Sequence, residues 1–496
     1  MSSNTHNICL SLLPENEAQV YEWIEQHPDI ELFELRLDFL PEIDFKQLKS
    51  RTQKTFIVTV RPQDEGGKFS GTLEQRLAVF QQAVDAGIDF IDVELKHKDS
   101  ILREIKTLRN TQLVLSVHTV SNDPQVLFPL FEDLLTQKAD VYKFIFTART
   151  LNDVLLASQL IQKARDANKR YVIHAMGEAG ENSRLLGALQ GNEWTYAAVQ
   201  HTHETADGQF TIQNLKHHFY LLEKTNETRL LGLVGYPTRQ SKGWRLHNLL
   251  IHRVFGSQTP NYLYLNFPTP NVEDFLTQWG DQLKGFSVTI PHKEAIIPLL
   301  NKRSIGVKIS GVCNTVVRCP EGWCGYNTDL FALETIIKQY KSRIEHGAVV
   351  IGTGGTARSA IAALRRLEVY PIMITGRNQE KGAHLAKLFG VDYMNYNEII
   401  GVSASLIIQT TPVGMVPNIQ DVPPGIELLK RGRVVLDVIY NPSETRFLKH
   451  AKAKGCITIS GVEMFILQAA KQFELFTGHK ITPEEVRDAF ERISVV

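Results

Sequence analysis

Short apolar, β-branched runs recur along the first part of the chain: Ile8–Leu13, Leu32–Phe39, Phe56–Val60, Phe90–Leu95, Leu113–His118, Val141–Phe146, Tyr171–Met176 and Tyr196–Gln200. Between most of them, as in Thr72–Ala86 and Leu151–Asn168, apolar positions return at helical spacing. Eight strands alternating with helices predict an α/β fold of the (β/α)8, or TIM-barrel, type. A doubly wound open sheet is the rival, and it more often has fewer strands. No internal repeat of fixed short period is present.

The pattern changes after a polar stretch, Glu223–Arg229, where a new strand is predicted at Leu230–Gly235. Further on, the strand Ala348–Ile351 runs into Gly352-Thr353-Gly354-Gly355-Thr356-Ala357-Arg358 and a helix at Ser359–Leu367. Strand, glycine turn and helix N-terminus at G-x-G-x-x-A spacing predict a Rossmann dinucleotide-binding unit. Gly352 permits the turn, Gly354 lets a pyrophosphate approach the backbone, and Ala357 lets helix and strand pack closely. The free N–H groups at the start of the helix favour phosphate, with Gly355 and Thr356 beside it. The next strand, Pro371–Thr375, ends in Gly376-Arg377-Asn378 without a carboxylate for a ribose 2′-hydroxyl. Arg377, with Asn378 and Lys381 nearby, suits a 2′-phosphate, so NADP(H) is expected rather than NAD; the alternative is a solvated turn arginine.

Composition narrows the class. At 496 residues the chain is too long for one core, and two or three domains are expected. Acidic and basic residues balance at 54 each, so nothing points to nucleic acid. No run is apolar enough to cross a bilayer. The polar segment Met1–Asn7 does not read as a signal or transit peptide. Five sparse cysteines (Cys9, Cys313, Cys319, Cys324, Cys456) with no C-x-x-C pair are expected to be reduced thiols in the cytoplasm, holding neither disulfide nor zinc.

Barrel enzymes carry their chemistry at the C-terminal ends of strands. The polar residues there are Glu34, Arg36, Arg61, Glu94, His118, Lys143 and Gln200. Glu34 and Arg36 share one face of a strand. Lys143 stands in the otherwise apolar run Val141–Phe146. Burial favours a neutral amine, which can attack a carbonyl to form an imine, whereas a lone lysine more often snorkels to solvent. His118 ends the preceding strand as a candidate acid/base and Glu94 the one before, placed to hold the imidazole. Arg36, Arg61 and Arg184 suggest an anionic substrate.

Glu34-Leu35-Arg36-Leu37-Asp38, Asp92-Val93-Glu94, Ser116-Val117-His118, Lys143, Ser183-Arg184 and Thr205-Ala206-Asp207-Gly208-Gln209 resemble type I 3-dehydroquinate dehydratase over about residues 7–222. The resemblance implies a Schiff base on Lys143. It implies that His118 moves the C2 proton to the departing C1 hydroxyl and that Glu94 orients His118. Arg184 would bind the carboxylate, and Glu34, Arg36, Arg61, Thr205 and Gln209 would make further substrate contacts. Asp207 stands where the family loop often has proline.

In the second half, Gly285–Glu294, Asn314-Thr315 and Gly325–Asp329 bring Lys293 and Asp329 forward as a pair able to protonate a carbonyl oxygen during hydride delivery. With Thr410–Met415, Asp437–Pro442 and Gly461–Gln468 they resemble shikimate dehydrogenase over about residues 229–496. The resemblance implies Lys293 and Asp329 as the catalytic pair. It implies substrate contacts from Ser241, Ser287, Thr289, Asn314, Tyr440 and Gln468, and cofactor contacts from Gly461 and Met464. Gly243 replaces a serine that the family uses on the carboxylate, which leaves quinate open as an alternative to shikimate.

Together the halves resemble the fused dehydratase–dehydrogenases of the shikimate pathway. The expected division is a barrel over 1–224, a substrate-binding domain over 225–335 to which helices in 462–496 return, and a Rossmann domain over 336–461. Expected partners are the small molecules 3-dehydroquinate and 3-dehydroshikimate/shikimate, with no metal, nucleic acid or membrane. A non-catalytic ligand sensor on the same folds is the remaining alternative.

Overall fold

The computed structural model describes residues 7–40, 42–105, 107–108, 110–204, 206–238 and 240–495. They form two compact units, one from the chain up to Thr228 with Ile251–Leu263, the other from Arg229–Leu250 with Tyr264 onwards. Among the described residues no helix is long and apolar enough to cross a membrane.

In the first unit eight parallel strands form one sheet: β1 (Ile8–Leu12), β2 (Leu32–Arg36), β3 (Thr55–Thr59), β4 (Phe90–Glu94), β5 (Gln112–His118), β6 (Val141–Thr147), β7 (Tyr171–Met176) and β8 (Thr195–Ala198). Neighbours follow chain order from β1 to β7, and β8 returns to β1 with Thr195 opposite Ile8. At the remaining seam the Glu193 amide donates to the Tyr171 carbonyl at 2.9 Å. The barrel is thus the observed architecture, and the open sheet is not. Several helices begin where a side chain satisfies a free amide. Leu73–Asp85, for example, opens on a capping box between Thr72 and Gln75.

Alternation along the strands layers the interior. Cys9, Leu32, Ile57, Phe90, Val114, Val141, Val172 and Tyr196 form an apolar plug at one end. Two residues further on, the same faces carry Ser11, Glu34, Thr59, Asp92, Ser116, Lys143 and His174, all buried. The residues between, such as Tyr142, Phe144, Ile173 and Ala175, face the outer core. The apolar layer supplies the burial that holds the barrel, and the polar layer sits towards the C-terminal ends of the strands.

The second unit holds two sheets. One has the order β10-β9-β11-β13-β14-β12, where β9 is Arg229–Gly235, β10 Tyr262–Pro268, β11 Leu283–Val288, β12 Lys302–Arg303, β13 Thr315–Cys319 and β14 Gly322–Tyr326. The antiparallel hairpin β13–β14 corrects the expectation of five free thiols. Its register sets Gly322 opposite Cys319 and Cys324 opposite Val317, and the two cysteines, 6.0 Å apart at Cα, are joined as a disulfide. A search for C-x-x-C spacing misses a pair brought together across a hairpin.

The other sheet comprises β15 (Ala348–Ile351), β16 (Ile372–Thr375), β17 (Asp392–Tyr393), β18 (Leu406–Gln409), β19 (Val434–Asp437) and β20 (Ile457–Ile459), in the order β17-β16-β15-β18-β19-β20. All neighbours are parallel. Renumbered from its own first strand, this is the 3-2-1-4-5-6 order of a Rossmann sheet, with its switch point between β15 and β18. The helix after β15 runs Gly355–Arg366, a turn earlier than its apolar pattern predicts. It starts on the glycines themselves, which carry no side chain for a periodicity to register.

Candidate active sites

At the catalytic end of the barrel, Lys143 is 4 % exposed. Its Nζ lies 2.8 Å from Asp92 Oδ2, 3.5 Å from Glu34 Oε1 and 4.5 Å from the centre of the Tyr196 ring. The amine therefore does not snorkel; it is held inside by two carboxylates. Glu34 is fixed in turn by the Ser11 hydroxyl and by Thr59 at 2.9 Å. Asp92 accepts from Ser116 at 2.6 Å and faces Arg61 at 3.4 Å. Burial raises the Asp92 carboxyl, but Lys143 and Arg61 outweigh it and hold the group below its usual range.

Two expected contacts are rearranged. Arg36 shares a face with Glu34 but makes a two-pronged pair with Asp38, both bonds at 2.8 Å. Glu94 does not hold His118: its carboxylate is bonded by Arg76 and lies 3.7 Å from Arg61. It is Arg61 Nη1 that meets His118 Nδ1, at 2.7 Å. A guanidinium can only donate, so Nδ1 is the lone-pair nitrogen in this arrangement. Burial and then Arg61 push the His118 imidazole well below its ordinary value.

Arg184 is 2 % exposed, and its Nε and Nη2 have no hydrogen-bond partner among the described residues. Burial pulls the guanidinium down to about 10, with Glu181 and Glu204 opposing. Gln209 is buried at 4 % exposure. Thr205 lies outside the described residues. Residues not singled out from the sequence also enter the site. Asp92 holds Lys143, and its place two residues before Glu94, on the same face of the strand, could have marked it. Glu65, in the loop after β3, lines a cavity of about 520 Å³ with Ser116 and His118, and burial raises its carboxyl. Only its place after a barrel strand, four residues past Arg61, could have marked it.

In the second unit, Lys293 Nζ pairs with Asp329 Oδ2 at 2.6 Å. Asn314 donates to Asp329 Oδ1 at 2.8 Å and accepts from the Thr328 amide at 2.7 Å, fixing the carboxylate. The pair lines a cleft of about 350 Å³ with Ser241, Ser287, Thr289, Asn314, Tyr440 and Gln468, together with Thr356, Gly461 and Met464 of the expected cofactor set. Tyr440 stacks on Phe465 at 4.2 Å. Gly243 also lines the cleft, and its amide donates to Ser241 Oγ at 3.1 Å. Gln472, absent from the sequence reading, accepts from Ser287 at 3.0 Å and donates to Thr315 at 3.1 Å. It tethers the long C-terminal helix Gly461–Thr477 to the start of β13.

The glycine turn adjoins this pair. Gly352 has φ +126°, and a Cβ there would lie 2.3 Å from Thr410 Oγ1. A Cβ on Gly355 would press on Lys293 Cδ at 3.2 Å. Around Gly354 there is open space, and no side chain caps the helix that follows. Uncapped amides facing open space fit a pyrophosphate. Ala357 is fully buried in the helix–sheet interface. Arg377 is exposed just past β16, and Asn378 caps the next helix through the Lys381 amide at 2.8 Å.

Three family models match successive parts of the chain. The family model for type I 3-dehydroquinase matches residues 8–226, that for the shikimate dehydrogenase substrate-binding domain 233–316, and that for the shikimate 5′-dehydrogenase C-terminal domain 461–489. The bifunctional 3-dehydroquinate dehydratase/shikimate dehydrogenase, chloroplastic, of Arabidopsis thaliana is 30% identical over 508 residues, covering 96% of this chain and 82% of that protein. Shikimate dehydrogenase (NADP(+)) of Methanococcus aeolicus is 37% identical over 275 residues, 51% of this chain and 94% of that protein. The corresponding enzyme of Crocosphaera subtropica is 32% identical over 286 residues, 54% and 97%. The class is therefore a two-part enzyme, a lyase barrel followed by a dinucleotide-dependent oxidoreductase. The chain belongs to the bifunctional 3-dehydroquinate dehydratase/shikimate dehydrogenase family.

Proposed function

We propose that the barrel dehydrates 3-dehydroquinate through an imine on Lys143 and that the second unit reduces 3-dehydroshikimate to shikimate with NADPH. The observation that carries the first half is Arg184, a buried guanidinium with two unpartnered nitrogens, Nε and Nη2, at the catalytic end of the barrel. Such a group is stable only against an anion, and a substrate carboxylate supplies one. With the carboxylate anchored, the ketone is presented to Lys143. The imine draws electrons from C2, His118 takes the C2 proton at Nδ1 once Arg61 turns from the imidazole to the substrate, and the same proton leaves with the C1 hydroxyl as water. Glu65, which shares the His118 cavity, replaces Glu94 as the carboxylate acting on His118, and Glu94 holds Arg61 and Arg76. Gln209 and Thr205 complete the substrate contacts.

In the reductase, Lys293 protonates the carbonyl oxygen while Asp329, fixed by Asn314, holds the ammonium in place. Ser241, Ser287, Thr289, Tyr440 and Gln468 orient the ring. NADPH supplies the hydride when bound. The Gly352–Ala357 turn would hold its pyrophosphate, Arg377 with Asn378 and Lys381 its 2′-phosphate, and Gly461 and Met464 its nicotinamide end. Gly355 lacks the Cβ that would crowd Lys293, so the proton donor sits directly against the nucleotide turn. Relatives that are NADP(+)-dependent shikimate dehydrogenases favour shikimate over the quinate alternative raised by Gly243.

The domain division that goes with this reading is a barrel over 1–224, a substrate lobe over 225–335 joined by helices in 462–496, and a nucleotide domain over 336–461. The location that goes with it is the cytoplasm, tested by fractionation. The decisive assay supplies 3-dehydroquinate and NADPH to the full chain and identifies the products. Shikimate is expected, together with a borohydride-trapped substrate adduct on Lys143. Turnover without any trapped adduct would refute the imine route.

A further inference from the structure

A second imidazole, His174, faces the inside of the barrel, and the scheme above does not use it. Val172 belongs to the apolar interior layer while Ile173 and Ala175 face the outer core, so alternation turns His174 inward. It is 3 % exposed, and its side chain makes no hydrogen bond among the described residues. Buried imidazoles are rarely left so. Its ring lies 6.3 Å from that of Tyr196, whose face also carries Lys143 Nζ at 4.5 Å. The charges that reach it are those of Arg184 and Lys143, which, after burial, depress the imidazole well below its usual value.

On the strength of the imine reading, we infer that His174 is the proton carrier for forming and hydrolysing the imine, a role separate from that of His118 in the elimination. Lys143 must lose a proton before it can attack, and His174 accepts it. The amine then adds to the ketone carbon: a C–N bond forms and the carbonyl π pair moves to oxygen. A proton passes from that nitrogen to the oxygen, giving a neutral carbinolamine. The imidazolium returns its borrowed proton to the hydroxyl, the C–O bond breaks, water leaves, and the nitrogen lone pair closes the iminium. An ammonium and a ketone become an iminium and water, with no proton drawn from outside. Both charges that keep His174 unprotonated at rest are cancelled as it is needed, Arg184 by the substrate carboxylate and Lys143 by the transfer itself. Asp92 lies nearer to Nζ, but the cations around it keep it a weak base.

The test isolates imine formation in the full-length chain carrying His118→Ala, where elimination is blocked. The readouts are loss of ¹⁸O from the labelled ketone of 3-dehydroquinate and the rate of borohydride trapping at Lys143. Adding His174→Gln, which keeps a polar side chain that cannot carry a proton, should slow both by about a hundredfold, the usual scale of general acid–base catalysis. The dissociation constant for substrate should stay within about threefold. In a His174→Gly variant, added imidazole should restore part of the rate, which a purely structural role would not allow. Exchange within about threefold of the parent at saturating substrate overturns the inference, whether or not binding is weakened. No exchange or trapping in the His118→Ala parent would instead overturn the imine reading on which it rests.

Discussion

Arg184 offers a sharp test because stability and function pull on it in opposite directions. Its guanidinium is buried with two nitrogens unpartnered, and it is pulled down to about 10. That is between two and three powers of ten below an ordinary guanidinium, and at roughly 1.4 kcal/mol for each factor of ten the folded barrel carries a penalty of about 3 kcal/mol. The sign follows from the direction. A base whose affinity for protons falls on folding destabilises the fold wherever the unfolded chain is protonated, so the penalty is fully present at neutral pH and fades only above about pH 10. Arg184→Met, similar in length and uncharged, should therefore stabilise the barrel, raising its melting temperature by about 6–12 °C for a unit of this size. The same change removes the charged partner of the substrate carboxylate, and KM for 3-dehydroquinate should rise by about thirtyfold or more, on the basis of about 2–5 kcal/mol for a buried charge pair. Differential scanning calorimetry of the full chain, with and without the dehydrated product, reads both effects. Product should raise the melting temperature of the wild type and leave the variant unmoved. A variant that melts lower than the wild type with KM unchanged would refute both the burial penalty and the carboxylate assignment.

Three further outcomes are expected. Arg377→Ala should raise KM for NADPH by tenfold or more while leaving KM for NADH nearly unchanged, since only NADPH carries the 2′-phosphate; equal effects in steady-state kinetics would refute the assignment. Glu65→Gln should lower dehydratase kcat by about a hundredfold with the barrel still folded, whereas Glu94→Gln should destabilise the barrel, because it leaves Arg76 and Arg61 without their carboxylate; circular dichroism and initial rates separate the two. His118 acts unprotonated, and burial with Arg61 holds it well below the usual 6.5 or so, so dehydratase kcat/KM should stay flat from neutral pH to below about 6.5. An acid limb centred at 6.5 or above would contradict this, and Arg61→Met should move the limb upward.

Both folds were legible in local pattern, and so were the candidate residues of each site. Short apolar, β-branched runs marked all eight barrel strands, because each strand is buried on both faces, one in the interior and one under helices. The glycine turn and the missing acid after β16 marked the candidate nucleotide site, because such features are set by backbone geometry over a few adjacent residues. The resemblance then carried Lys143, His118, Lys293 and Asp329 to their positions, and the Lys293–Asp329 pair is a direct contact.

Pairings between distant segments emerged only in the folded chain. Glu94 and Glu65 are both acids near strand ends, but only Glu94 stood at the end of a predicted strand. In the folded barrel the arginines on neighbouring elements claim Glu94, and the loop after β3 brings Glu65 to the His118 cavity. Cys319 and Cys324 meet through a hairpin register that residue spacing does not display. Gln472 reaches Ser287 and Thr315 across more than a hundred and fifty residues of chain. Local pattern fixes which face a side chain takes. Which charge it meets there depends on how strands from remote parts of the chain stack around a common interior, and only the assembled barrel and sheets decide that.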